Sequence, residues 1–277
     1  MISGKTRLIV HLGYPIESFK APLIYNPWFE KNGIDAVVVP MGVRAEDFPG
    51  VVASLRKLTN LHGALVTMPH KMTVVGLLDE SSTTVKIAGS CNALLLRPDG
   101  TLVGDMFDGA GFARGLKRKG FVLAGASCLV VGTGGVGSAI AAALAAEGPA
   151  SISLFDTSAP TAEGLAARLR EHYPRIAVDL RSNDPAGYDL VVNGTPLGMR
   201  ADDPLPFDVT RLSPRTFVGE VVMKQEITPL LRAAAERGCR YQVGTDMLFE
   251  MIPAYLEFFG YGTATPDELR AVAQVAY

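Results

Sequence analysis

Gly132, Gly134 and Gly137 stand in the spacing G-x-G-x-x-G, and the chemistry of that spacing is the holding of a pyrophosphate. The first glycine permits a tight turn, the second lets backbone approach the phosphates, and the third lets a helix pack closely on a strand. Thr133, Gly135 and Val136 complete the turn. The helix start that follows offers N–H groups and a positive dipole end. The spacing also fits an ordinary structural strand–helix turn, so its context matters. An apolar run, 128–131, precedes it, and an alanine-rich segment, 138–146, follows at once. A second apolar run, 151–155, then ends in Asp156, 19 residues after Gly137. A dinucleotide site places its ribose-binding carboxylate there.

Lys71 and Asp108 are each of a residue type able to move a proton. Hydride transfer to a ketone needs a proton donor at the developing alkoxide, and the reverse direction needs a base. A lysine paired with a carboxylate serves both. Lys71 follows a strand and a turn in which Pro69 restricts the backbone. Asp108 begins a predicted helix, whose dipole favours the ionised acid. Each also has an ordinary reading, a solvated surface lysine and a capping aspartate. His70 reads as a local packing or hydrogen-bonding group, and His11, His62 and His172 have no evident partners.

The elements that position these residues follow from apolar runs and turn residues. Residues 7–12 read as a strand ending at Gly13, 22–31 as a helix and 34–40 as a second strand. Residues 45–58 read as a helix with Phe48, Val51, Val52 and Leu55 on one face. Residues 63–67 form a third strand, and 93–96 with 102–104 flank a hairpin turn, Arg97-Pro98-Asp99-Gly100. A helix over 108–119 leads into the glycine-rich half, where 161–171 is helical and 176–180, 217–222 and 241–243 are strands. Thr228-Pro229 suits a helix start, with Thr as N-cap and Pro at the first helical position. Helices over 246–258 and 266–275 close the chain. Strands alternating with helices argue for mostly parallel sheets.

The whole chain sets wide bounds. Its 277 residues allow one large or two modest domains, and 48% hydrophobic residues allow sizeable cores. A net charge of −2 without a long basic block argues against nucleic acid or anionic membrane as partners. The first seven residues lead into a strand rather than a signal peptide, and no apolar stretch is long enough to span a bilayer. Cys91, Cys128 and Cys239 show no metal-ligand spacing and read as buried free thiols, which suits the cytoplasm. No metal is expected.

Several segments, in order, resemble the shikimate/quinate dehydrogenase family. Gly13-Tyr14-Pro15-Ile16 with Pro22 and Asn26 resembles its opening, and Val66-Thr67-Met68-Pro69-His70-Lys71 its V-T-x-P-x-K segment. Ala88-Gly89-Ser90-Cys91-Asn92-Ala93 resembles G-A-x-N-T, and 104–112, containing Asp108, resembles G-x-N-T-D-x-x-G-F. Residues 188–199 resemble D-x-x-x-N-A-T-P-x-G-M. The resemblance implies that Lys71 and Asp108 are the catalytic pair and that Asn92 holds a substrate oxygen, with Thr67 nearby. It implies that Asn193, Thr195 and Pro196 lie near the nicotinamide side of the cofactor, and it assigns Val221 and Gly244 to the cofactor site as well.

The departures carry information. The family's two substrate-binding serines are Phe19 and Ala21 here, separated by Lys20. The asparagine and threonine of N-T-D are Met106 and Phe107, a family tyrosine is Met223, and a late glutamine is Met251. Hydrogen bonds to a charged group contribute roughly 1.5–3 kcal/mol each, so losing several weakens shikimate binding in the familiar pose. Lys20 is a remaining group able to meet a carboxylate. The arginine that clamps a 2′-phosphate in NADP-using relatives is Asp156.

The expectation is therefore an α/β chain of two domains. A mostly parallel α/β sandwich over 1–107, completed by helices within 246–277, binds substrate; a Rossmann-type domain over 108–245 binds NAD. The expected reaction is NAD-dependent hydride exchange on a secondary alcohol or ketone of a small, cyclic acid, in a cleft between the domains. Shikimate or quinate is the family default, with a less polar substrate favoured by the altered pocket. The rival is a non-catalytic NAD-binding sensor. A monomer or homodimer is expected.

Overall fold

A computed structural model describes residues 2–275. Met1 of the expected start, and residues 276 and 277 of the expected closing region, lie outside the described residues. The chain divides into two compact units, residues 2–107 with 252–275, and residues 108–251.

In the first unit β1 (Arg7–Gly13) leads to α1 (Pro22–Lys31), β2 (Ala36–Gly42), α2 (Phe48–Leu55) and β3 (Leu61–Val66). A 3-10 turn (Thr73–Leu77), β4 (Glu80–Ser81), α3 (Thr83–Ala88), β5 (Ala93–Leu96) and β6 (Leu102–Asp105) follow. Pro22 sits in the first turn of α1, where its fixed φ suits a helix and its missing N–H costs nothing. The expected helix over 45–58 is shorter at both ends. Pro49 has no N–H and clashes with the carbonyl of residue 45 in a helix interior, so α2 starts only at Phe48. The pair β4 and α3 was not anticipated; two and six residues are too few to show a period. Ser82 caps α3 through the N–H of Val85, and Gly89 ends it with φ 66°.

Among the described residues these strands form one six-stranded sheet in the order β2-β1-β3-β5-β6-β4. β1 pairs in parallel with β2 and β3, while β5 runs antiparallel to β3 and β6 as the expected hairpin. Central β1 buries Ile9, Val10 and Leu12, the near-continuous apolar run of a strand covered on both faces.

The second unit runs α4 (Asp108–Arg118), β7 (Ser127–Val131), α5 (Gly135–Ala146), β8 (Ser151–Phe155), α6 (Ala159–His172), β9 (Ala177–Leu180), β10 (Leu190–Asn193), β11 (Phe217–Glu220), α7 (Pro229–Glu236) and β12 (Arg240–Gln242). Its sheet has the order β12-β11-β10-β7-β8-β9 with every neighbouring pair parallel. That is the doubly wound order, whose switch point lies between β7 and β10. As expected, Thr228 caps α7 and Pro229 opens it. The division between the units falls inside α8 (Gly244–Phe258), between Met251 and Ile252. α9 (Pro266–Val272) ends before the expected 275, because Ala273 turns extended and Gln274 donates its N–H to Leu23 O instead.

The α/β class and the two parallel-rich sheets are those expected. Among the described residues no helix is long and apolar enough to cross a membrane. Cys91, Cys128 and Cys239 are buried and free.

Candidate active site

The second unit gathers the expected dinucleotide residues at the carboxyl ends of its strands. Gly132 leaves β7 with φ 91°, a conformation that glycine adopts without strain. A Cβ on Gly137 would collide with Gly132 O, so only glycine lets α5 start this close to the turn. A Cβ on Gly134, by contrast, would meet nothing within 4 Å. The first turn of α5 has no side-chain cap. Open space beside Gly134 and an uncapped helix start fit a pyrophosphate. Gly135 and Val136 are half-buried in that turn, whereas Thr133 is buried with its donors committed to Asp156.

Asp156 follows β8. Its Oδ2 accepts from the Thr133 N–H at 2.6 Å and the Thr133 hydroxyl at 3.0 Å, and its Oδ1 accepts from the Ser158 N–H at 2.9 Å. Partial burial raises its pKa, but the hydrogen bonds from Ser158 and Thr133 outweigh burial and hold the carboxyl below the usual range.

At the end of β10, Asn193 is fully buried. Its Oδ1 accepts from the Thr195 N–H at 3.1 Å and hydroxyl at 2.6 Å, which shapes the turn into Pro196. Its Nδ2 donates to Glu220 Oε1 at 2.9 Å and to Leu197 O at 3.0 Å. Glu220, which the sequence reasoning missed, ends β11 fully buried. It also accepts from the N–H groups of Val221 and Val222, at 2.8 and 3.0 Å, and from the Thr228 hydroxyl at 2.9 Å. Burial pushes its carboxyl up to about 7 against those hydrogen bonds. A Cβ on Gly244, at the start of α8, would collide with Val222 O and lie 3.0 Å from Val221 O, so Val221 and Gly244, both expected in the cofactor site, meet through backbone.

Asp108 is the first residue of α4 and is 1% exposed. α4 lies tight against α5: a Cβ on the neighbouring Gly109 would collide with Ala139 O.

The first unit holds Lys71 in a turn pinned on three sides. The Thr67 N–H donates to Leu12 O at 2.9 Å, and the Cys91 N–H donates to Lys71 O at 2.8 Å. His70 bonds Val43 O through Nε2 at 2.8 Å and stacks on Phe48 with ring centroids 4.0 Å apart, so it packs and hydrogen-bonds locally as expected. Lys71 is 8% exposed, which removes its reading as a solvated surface lysine.

Phe19 and half-buried Thr67 meet over Gly13, where an added Cβ would collide with the Thr67 methyl and lie 2.6 Å from Phe19 Cζ. Phe19 stacks on His11 with centroids 3.9 Å apart. His11, expected to lack partners, therefore has one. Burial, and then the charge of Lys71, lower its pKa to about 3, so the imidazole is neutral. His62 also has partners, Phe259 O at 2.8 Å and the rings of Phe259 and Tyr261.

Asn92 is 1% exposed. Its Oδ1 accepts from the Phe107 N–H at 3.0 Å, while its Nδ2 is buried without a partner. Of the altered positions, Ala21 and Met106 are buried and Phe19, Met223 and Met251 are half-buried. Lys20, half-buried between Phe19 and Ala21 in the chain, has its ammonium pKa lowered by burial. Among the described residues no group of His, Cys, Asp and Glu is placed to hold a metal ion.

The chain thus joins a doubly wound unit with an open glycine turn to a unit that buries a lysine and an asparagine. A family profile for the shikimate dehydrogenase substrate-binding domain matches residues 11–94. The chain is 36% identical over 275 residues to shikimate dehydrogenase (NADP(+)) of Acidiphilium cryptum, covering 99% of this chain and 98% of that one. It superposes on shikimate 5-dehydrogenase of Listeria monocytogenes, solved with shikimate and NAD, with TM-score 0.86 and 28% identity over 98% of this chain and 97% of that one. The match to quinate dehydrogenase of Corynebacterium glutamicum, solved with NAD, has TM-score 0.85 and 28% identity, covering 96% and 98%. The chain belongs to the shikimate dehydrogenase family, oxidoreductases that act on CH–OH groups with a nicotinamide dinucleotide.

Proposed function

We propose that this protein catalyses reversible hydride exchange between NAD and a secondary alcohol of a small cyclic hydroxy acid. The observation that carries the reading is the bond from the Cys91 N–H to Lys71 O at 2.8 Å, which ties the buried Lys71 turn to the residue beside buried Asn92. A proton carrier and an amide donor are thereby held on adjoining backbone. In this reading residues 1–107 and the closing helices within 246–277 carry the substrate, and 108–245 the cofactor.

The bound nicotinamide supplies or accepts the hydride. Asn92 Nδ2 donates to a substrate oxygen, and Lys71 gives the carbonyl oxygen its proton in reduction and takes it back in oxidation, with Asp108 as the acidic member of the set. The turn from Gly132 to Gly137 holds the pyrophosphate. NAD is favoured over NADP because the ionised Asp156 accepts ribose hydroxyls and repels a 2′-phosphate. This differs from the NADP(+) in the name of the Acidiphilium relative. Phe19 and Ala21 in place of two serines, with Met223 and Met251, favour a substrate less polar than shikimate. Following NADH formation from NAD with shikimate, quinate and less polar hydroxy acids tests the reading. NADH formed with at least one of them and lost in Lys71→Ala is the expected result. No NADH with any of them overturns it.

A further inference from the structure

The surroundings of Asn92 assign a task to a side chain outside every motif, Tyr255 on α8. The Asn92 N–H donates to Asp105 O at 3.0 Å, and its O accepts from the Val66 N–H at 2.8 Å. The same carbonyl accepts from the Tyr255 hydroxyl at 3.0 Å. Oδ1 accepts from the Phe107 N–H at 3.0 Å, and this bond fixes which end of the carboxamide faces inward. Nδ2 alone is buried without a partner. Unpaired buried donors are rare in folded chains, and each calls for an explanation such as a ligand.

Tyr255 acts on Asn92 from both ends. Its hydroxyl holds the backbone carbonyl, and its ring packs edge-on against Phe107 at 4.9 Å and 70°, the residue whose N–H holds Oδ1. The Tyr255 ring is itself braced edge-on by Tyr25 at 6.4 Å and 89°, and Phe107 by Phe258 at 5.6 Å and 70°. Phe107 stands where the resembled N-T-D segment has threonine, so an aromatic brace occupies a place the family gives to a small polar residue.

We propose that Tyr255 is a positioning residue that orients Asn92 so that its amide nitrogen meets the substrate oxygen. The proposal rests on the reading of Asn92 as a substrate-binding group. Tyr255→Phe keeps the ring and removes the hydroxyl; Tyr255→Leu removes both supports. With shikimate and NAD as probes, the Phe variant should raise the KM for shikimate about three- to tenfold, the range one neutral hydrogen bond spans, and leave the KM for NAD unchanged. The Leu variant should raise it further. A tyrosine with only a structural role would lower the melting temperature without splitting the two KM values, and unchanged shikimate KM in both variants overturns the proposal. The side-chain amide NMR signals of Asn92, assigned through Asn92→Asp, give a readout independent of turnover. They should shift or broaden in Tyr255→Phe. If shikimate, quinate and the less polar hydroxy acids are all not turned over, the proposed function fails, and the amide signals alone decide whether Tyr255 positions Asn92: unchanged signals overturn it.

Discussion

Thr133 donates both its backbone N–H, at 2.6 Å, and its hydroxyl, at 3.0 Å, to the same oxygen of Asp156. The second residue of the glycine turn and the acid after β8 are thus one hydrogen-bonded unit, and the Ser158 N–H together with these bonds holds the carboxyl below its usual range.

Asp156 should set cofactor choice. At about 4 Å and an effective dielectric near 20, one like-charge pair costs about 4 kcal/mol, and solvent screening at this half-buried position reduces that. NAD is expected to bind at least about tenfold more tightly than NADP, allowing for the screening. Calorimetric titration with both cofactors measures this, and equal affinities would sink it. Asp156→Arg should move the preference toward NADP.

Lys71→Ala should lower turnover by at least about 100-fold, the scale of positioned acid–base catalysis. NAD affinity should be unchanged, because the turn of Gly132 to Gly137 belongs to the other compact unit. Steady-state kinetics beside NAD titration checks both halves. A variant with the wild-type rate leaves Lys71 no part in the chemistry.

Phe19→Ser with Ala21→Ser should improve shikimate use by restoring two hydroxyls for a carboxylate. Each restored charged hydrogen bond is worth roughly 1.5–3 kcal/mol, lowered here by the lost stacking of Phe19 on His11. The ratio kcat/KM for shikimate in wild type and double variant is the measurement. Efficient wild-type turnover of shikimate refutes the idea of a less polar pocket.

Glu220 should make stability fall as pH rises through the weakly acidic range. Burial raises its carboxyl from 4.5 to about 7. Below 4.5 the acid is protonated in folded and unfolded chains alike, and its contribution is fully present. Between 4.5 and about 7 the unfolded chain releases the proton first, so up to about 3 kcal/mol of stability is lost by the upper end. Denaturant unfolding across this range should show the slope in wild type and its absence in Glu220→Gln. Equal slopes in the two proteins refute the assignment.

Much of the architecture was legible in the residues. Pro22, Thr228-Pro229 and the Arg97-to-Gly100 turn act over a few neighbouring residues, and the elements they start or join lie where expected. The glycine spacing belongs in part to the same class: Gly132 takes φ 91° in the turn and Gly137 abuts Gly132 O, although a Cβ on Gly134 would meet nothing within 4 Å. Where a short-range rule was overlooked, at Pro49, the expected helix was too long.

The chain by itself determined the α/β class, the glycine turn with its acid, and the family's motif order. Periodicity, turn chemistry and spacing are all local properties of sequence. Only the tertiary structure decided which polar groups are buried and what they touch. Lys71 also read as a solvated surface lysine and Asp108 as a capping aspartate, and it is packing that leaves them 8% and 1% exposed. The stack of His11 on Phe19 and the hold of Glu220 on Asn193 join residues with no fixed spacing. Tyr255 reaches Asn92 across 163 positions of chain. Hydrogen bonds and burial depend on distance in space, and no short-range pattern records which residues folding brings within 3 Å of one another.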